Sequence, residues 1–131
     1  DNRLIPASQT AAFFHGQIAY DDDYTGLAAT LEEGERLAAA MGTKPIVFMK
    51  NHGVLVVGDS VASAWDDLYY LERACEAQRL ALATGRPLKP VPEEVAARTA
   101  AQMREGDGES ARLHLESVKR ILAKSEPDFA D

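Results

Sequence analysis

Pro45-Ile46-Val47-Phe48-Met49-Lys50-Asn51-His52-Gly53-Val54-Leu55-Val56-Val57-Gly58 is the stretch on which the reading of the fold turns. It holds two short runs, Pro45 to Lys50 and Val54 to Val57, rich in the β-branched and apolar residues that suit a buried, pleated surface. Only Asn51-His52-Gly53 separates them, a length that predicts an antiparallel hairpin with Asn51 or Gly53 in the left-handed backbone region. His52 is thereby placed at the tip. The residues alone leave two roles open for it: a turn histidine hydrogen-bonded to nearby backbone, or an imidazole on a rigid platform with one nitrogen available to a metal.

Downstream of the hairpin, Gly58-Asp59-Ser60 leads into the longest predicted helix, 61 to 84, with Ser60 or Asp59 as N-cap and Gly85 past its end. Val61, Ala64, Trp65, Leu68, Leu71, Cys75 and Leu82 form one apolar face, and Tyr70, Ala74, Ala77 and Ala81 a second. A helix apolar on two sides is expected to be sandwiched, inside a larger fold or between subunits. Arg86 to Val91 is a Pro-rich connector, and Pro92 is the expected first residue of a helix over 92–104. Gly106-Asp107-Gly108 is read as a break before an amphipathic helix over 109–124, and Pro127 as the end of regular structure.

Upstream, Thr30-Leu31-Glu32-Glu33 is a capping box opening a helix that Gly42 stops. Residues 7 to 14 predict a short helix ending at Gly16, Gln17 to Tyr20 a brief strand, and Asp21-Asp22-Asp23 a solvated turn. The first residues contain no initiator Met and no basic-then-apolar leader pattern, so the chain reads as though it begins inside a fold.

The 131 residues suffice for one ordinary domain. A formal net charge of -7, with charges interleaved along the chain, lacks the footprint of a nucleic-acid binder. Cys75 is the only cysteine, which excludes an internal disulfide and suits a reducing compartment. The longest apolar runs fall far short of the roughly 18 residues that span a bilayer. No phosphate-cradling Gly-rich loop, paired-Cys zinc motif, His-Glu-x-x-His or Gly-x-Ser-x-Gly is present.

Among other candidates, His15 is expected in a surface turn, and His114, off the Ala111/Leu115/Val118/Leu122 stripe, on a solvated helix face. Tyr69 and Tyr70 are read as packing residues. Asp66, Asp67 and Glu72 form no catalytic carboxylate pair in this reading, because adjacent helical side chains diverge and Asp66 or Asp67 suits the positive end of the helix dipole. Lys50 neighbours His52 and could attract an anionic substrate group, although nothing in the pattern demands a cation at this place.

Met49-Lys50-Asn51-His52-Gly53-Val54-Leu55-Val56-Val57-Gly58-Asp59-Ser60-Val61, followed by Ala64 to Cys75, resembles the class II aldolase/adducin family. Leu4-Ile5-Pro6-Ala7-Ser8-Gln9-Thr10 and Gln17 to Tyr20 are similar to the branch that groups aldolases, sugar-phosphate epimerases and decarboxylases. The resemblance covers residues 4 to 82 and fades beyond Gly85. It implies an α/β fold of three layers, helix-sheet-helix, with a mostly antiparallel central sheet. The chain would be a single partial domain over 1–131: residues 4–84 supply the C-terminal half of the fold, and 85–131 a variable helical region.

The same resemblance implies that His52 is the third ligand of a catalytic divalent metal, zinc or manganese, and that Asn51 and Gly53 orient it or bind substrate oxygens. The other two ligands would come from an upstream His-x-His pair, and the acid/base from a carboxylate further upstream. This chain holds only His15, His52 and His114, no two separated by one residue, so the His-x-His pair is absent, and the acid/base is expected in a missing N-terminal part. The implied activity is aldol cleavage, sugar-phosphate epimerisation or decarboxylation of a small hydroxy-carbonyl or carboxylated substrate. It would be carried by a cytoplasmic homotetramer with no nucleic-acid or membrane partner. A non-catalytic, adducin-like scaffold is the alternative.

Overall fold

Buried β-formers at 46 and 47, after the helix stop at Gly42, set the frame, and a computed structural model describes residues 3–24, 26–27 and 29–130. In chain order the elements are α1 (Gln9–Phe13), β1 (Ile18–Asp21), α2 (Leu31–Met41), β2 (Ile46–Met49), β3 (Gly53–Val56), α3 (Val61–Leu82), α4 (Glu93–Arg104) and α5 (Asp107–Ser125), followed by a 3-10 turn over Pro127–Ala130. The described strands lie in the order β1-β2-β3.

β2 and β3 form the expected antiparallel hairpin, with Ile46 opposite Val56 and Met49 opposite Gly53. β1 joins β2 in parallel, Ile18 opposite Ile46 and Asp21 opposite Met49. Of the expected mostly antiparallel sheet, this chain therefore supplies one antiparallel and one parallel junction. The parallel one follows from connectivity: α2 carries the chain back to the starting end of the sheet before β2 begins, as parallel neighbours require.

Side chains alternate between the two faces of the sheet. Ile46 faces a core with Phe13 and Phe14 at the end of α1, and Leu71 and Ala74 of α3; Ile18, Phe48, Val54 and Val56 pack around it. Val47, one residue out of phase, is also buried, on the side where α2 contacts β1 and β2. α2, sheet, and α1 with α3 make the three layers, with α4 against α1 and α5 against α3.

Two helix starts were local enough to be read correctly. Thr30 Oγ accepts from the Glu33 N–H and Ser60 Oγ from the Ser63 N–H, each satisfying an otherwise orphaned donor. Other boundaries differ. Pro92 keeps an extended ψ of 147° and is the N-cap of α4, so helical residues begin at Glu93. α5 begins at Asp107 because Glu105 and Gly106, the latter at φ 78°, make the whole turn, which leaves Asp107 in the first turn where its charge favours the helix. Pro127 does not end regular structure but opens the 3-10 turn.

The buried residues of α3 are Asp66, Asp67, Leu71 and Ala74, while Val61, Leu68 and Leu82 of the expected apolar face are exposed. α3 is nonetheless sandwiched, by α1 and β3 on one side and α5 on another. At its entrance Gly58 passes so close that an added Cβ would sit 2.8 Å from the Ala64 nitrogen.

Candidate functional site

The hairpin tip is closed by the His52 N–H donating to the Met49 carbonyl at 3.1 Å. Asn51 takes the left-handed conformation at φ 58°, the only positive φ of a non-glycine residue in the described chain. A positive φ at the third position of a four-residue turn demands Gly or Asn, because an Asn side chain tolerates it locally. Lys50 extends the sheet by donating its N–H to the Asp21 carbonyl at 2.9 Å. His52 is exposed at the tip, as expected. Among the described residues its ring has no hydrogen bond or ion pair, so the reading of a turn imidazole spent on nearby backbone is not what the structure shows.

Asn51, His52 and Gly53 together border an open cleft of about 790 Å³, whose other walls include Arg3, Tyr20, Asp22, Phe48 and Glu72. Tyr20 and Phe48, neighbours across the parallel junction, stack with centroids 5.7 Å apart. The Arg3 guanidinium lies 4.4 Å from the Tyr20 ring centre and donates to Asp22 at 2.9 Å. The Tyr20 hydroxyl accepts from the Leu4 N–H, and burial pushes its phenol above its ordinary range. Asp21, also on the cleft, accepts two hydrogen bonds from Arg36 at 2.7 and 2.8 Å, which hold its carboxyl below the usual carboxylate range. Glu72 is the third cleft carboxylate and has no hydrogen bond or ion pair among the described residues.

A neutral imidazole is a suitable donor for zinc or manganese. His52 fits one coordination position, being exposed and uncommitted. Among the described residues no group of three His, Cys, Asp or Glu side chains is arranged to hold a metal ion, so this chain offers one donor of a set.

The other histidines lie elsewhere. His15 follows α1 in a turn, half-buried, with Nε2 3.1 Å from a Glu93 carboxylate oxygen. His114 corrects the expectation of a solvated face. Its Nδ1 is 2.6 Å from Asp66 Oδ1, and its ring packs edge-on against Trp65 and Tyr69 at 4.5 and 4.9 Å. Asp66 and Asp67 do diverge: Asp66 reaches α5, while Asp67 pairs with Arg104 at the end of α4 at 2.8 Å. Desolvation by burial nevertheless pushes the Asp67 carboxyl above its ordinary range. Arg3, Tyr20 and Glu72 carried no local signal as cleft residues, since only the strand crossover and the return of α3 bring them to the cleft that His52 lines.

A family model described as the class II aldolase and adducin N-terminal domain matches residues 1–79. A Caulobacter vibrioides protein assigned to the class 2 aldolases by name only is 36% identical over 129 residues, covering 98% of this chain and 50% of that one. The decarboxylase NovR of Streptomyces niveus is 35% identical over 102 residues, 77% of this chain and 37% of its own. The crystal structure of an aldolase II superfamily protein from Pseudomonas syringae superposes with a TM-score of 0.86 at 38% identity, over 98% of this chain and 51% of that one. The chain thus spans about half the length of curated relatives that match nearly all of it.

Proposed function

The chain belongs to the class II aldolase and adducin family, and from that premise we propose that it carries part of the metal site of a lyase or isomerase acting on a small hydroxy-carbonyl or carboxylated substrate. The observation that carries this reading is the His52 imidazole, held at a sheet-anchored tip, facing a cleft and committed to no partner among the described residues. The remaining donors and the acid/base would come from polypeptide outside these 131 residues, in keeping with the half-length match. In domain terms, residues 4–84 supply one half of the catalytic fold and 85–131 its helical periphery.

A divalent metal, zinc or manganese, would supply Lewis-acid stabilisation of the negative charge that develops on a substrate oxygen. His52 contributes a donor whose backbone is fixed by the β2–β3 ladder, so little reorganisation is needed. Asn51 and the Gly53 N–H, on either side, are placed to orient the ring or to donate to substrate oxygens. Lys50, Arg3 and the Tyr20–Phe48 stack line the space where the rest of the substrate would lie. No helix of the described chain is long and apolar enough to cross a membrane. The assembly proposed is a cytoplasmic homotetramer, and its α3 would carry exposed Leu68, Tyr69 and Tyr70 toward a neighbour.

The test is His52→Ala in the full-length protein, with metal measured by elemental analysis beside turnover. Both are expected to fall together. Unchanged metal content defeats the ligand assignment, and a full-length protein with neither metal nor turnover favours the adducin-like scaffold.

A further inference from the structure

A metal-bound imidazole almost always passes its second ring N–H to a carboxylate, a backbone carbonyl or a water, and that acceptor fixes the tautomer and strengthens the donor. His52 has no such acceptor in contact among the described residues, yet three carboxylates share its cleft. Asp21 is spent on Arg36, which grips both of its oxygens. Asp22 is paired with Arg3 at 2.9 Å. Glu72 alone has no hydrogen bond or ion pair among the described residues. The Cys75 thiol one turn on is pushed up by burial first and by the Glu72 charge second.

The place of Glu72 in the fold adds to the elimination. The preceding residue, Leu71, and Ala74 two positions on are each 1% exposed, so the backbone of this turn of α3 is anchored in the core while the Glu72 side chain emerges on the cleft side. α3 packs on β3, the strand that leads out of the His52 turn. A long carboxylate on a fixed backbone thus lines the same cleft as an imidazole on a fixed hairpin.

We propose that Glu72 is the positioning residue of the metal site, accepting the His52 ring N–H that the metal does not use. The inference rests on the ligand reading of His52, and the two fail separately. The decisive measurement is zinc affinity of the full-length protein by competition with a chromophoric chelator, joined to ¹⁵N NMR of the His52 ring in the zinc-loaded state. Glu72→Ala is expected to weaken zinc binding by about 10- to 100-fold and to release the ring from a single tautomer. Glu72→Gln, whose amide oxygen still accepts, recovers part of that loss. Asp22→Asn, which also removes a cleft charge, leaves affinity and tautomer unchanged. Zinc held as tightly by Glu72→Ala as by the unsubstituted protein overturns the proposal, as does an equal loss in Asp22→Asn. Retention of zinc by His52→Ala overturns the ligand reading itself.

Discussion

Asn51 is the residue whose backbone decides whether the tip exists. At φ 58° a β-branched side chain is strained by about 1–2 kcal/mol, whereas Gly adopts the conformation without cost. Asn51→Val should therefore lower stability by about that amount in chemical denaturation, and Asn51→Gly should leave it nearly unchanged. Asp21 makes a second prediction at this scale. Arg36 depresses its carboxyl in the folded state, so the stability it contributes is present above the ordinary carboxylate range and disappears as pH falls through the depressed value. Melting temperatures from about pH 5 down to about pH 2 should show the Asp21→Asn variant well below the parent at the upper end and converging on it at the lower. A gap that stays constant would remove the ion pair from the account.

Secondary elements show where sequence patterns suffice and where they do not. Ser60→Ala, deleting the acceptor that meets the Ser63 N–H, should cost about 1 kcal/mol of stability, read as a lower denaturation midpoint at constant slope. Caps of this kind were legible because donor and acceptor lie three residues apart. The hairpin was legible for the same reason, since two β-rich runs with three residues between them have few other options. What escaped the sequence depends on partners far along the chain. His114 meets Asp66 across 48 residues, and helical spacing on α5 could not reveal it. The stripe of α3 was misplaced because its buried line includes Asp67, polar but paired with Arg104 37 residues away. The parallel junction likewise needed knowledge of where α2 returns the chain.

At the scale of the molecule, the candidate site is one imidazole in an open cleft, and no three metal-donor side chains converge among the described residues. The 131-residue chain by itself should accordingly retain no stoichiometric zinc after dialysis, measured by atomic emission, while the full-length protein should. Stoichiometric zinc on the short chain would mean that its own side chains complete the set. The ligand candidate was legible mainly through resemblance, since hairpin geometry alone left its role open; the residues around it became visible only in three dimensions.

Gly58 links these scales. With its Cα against the first turn of α3 and no room for even a methyl group, the exit of the hairpin has no slack. A single methyl added at 58 therefore has to be absorbed by backbone, either by the first turn of α3 or by the exit of β3, and no rotamer change can relieve it.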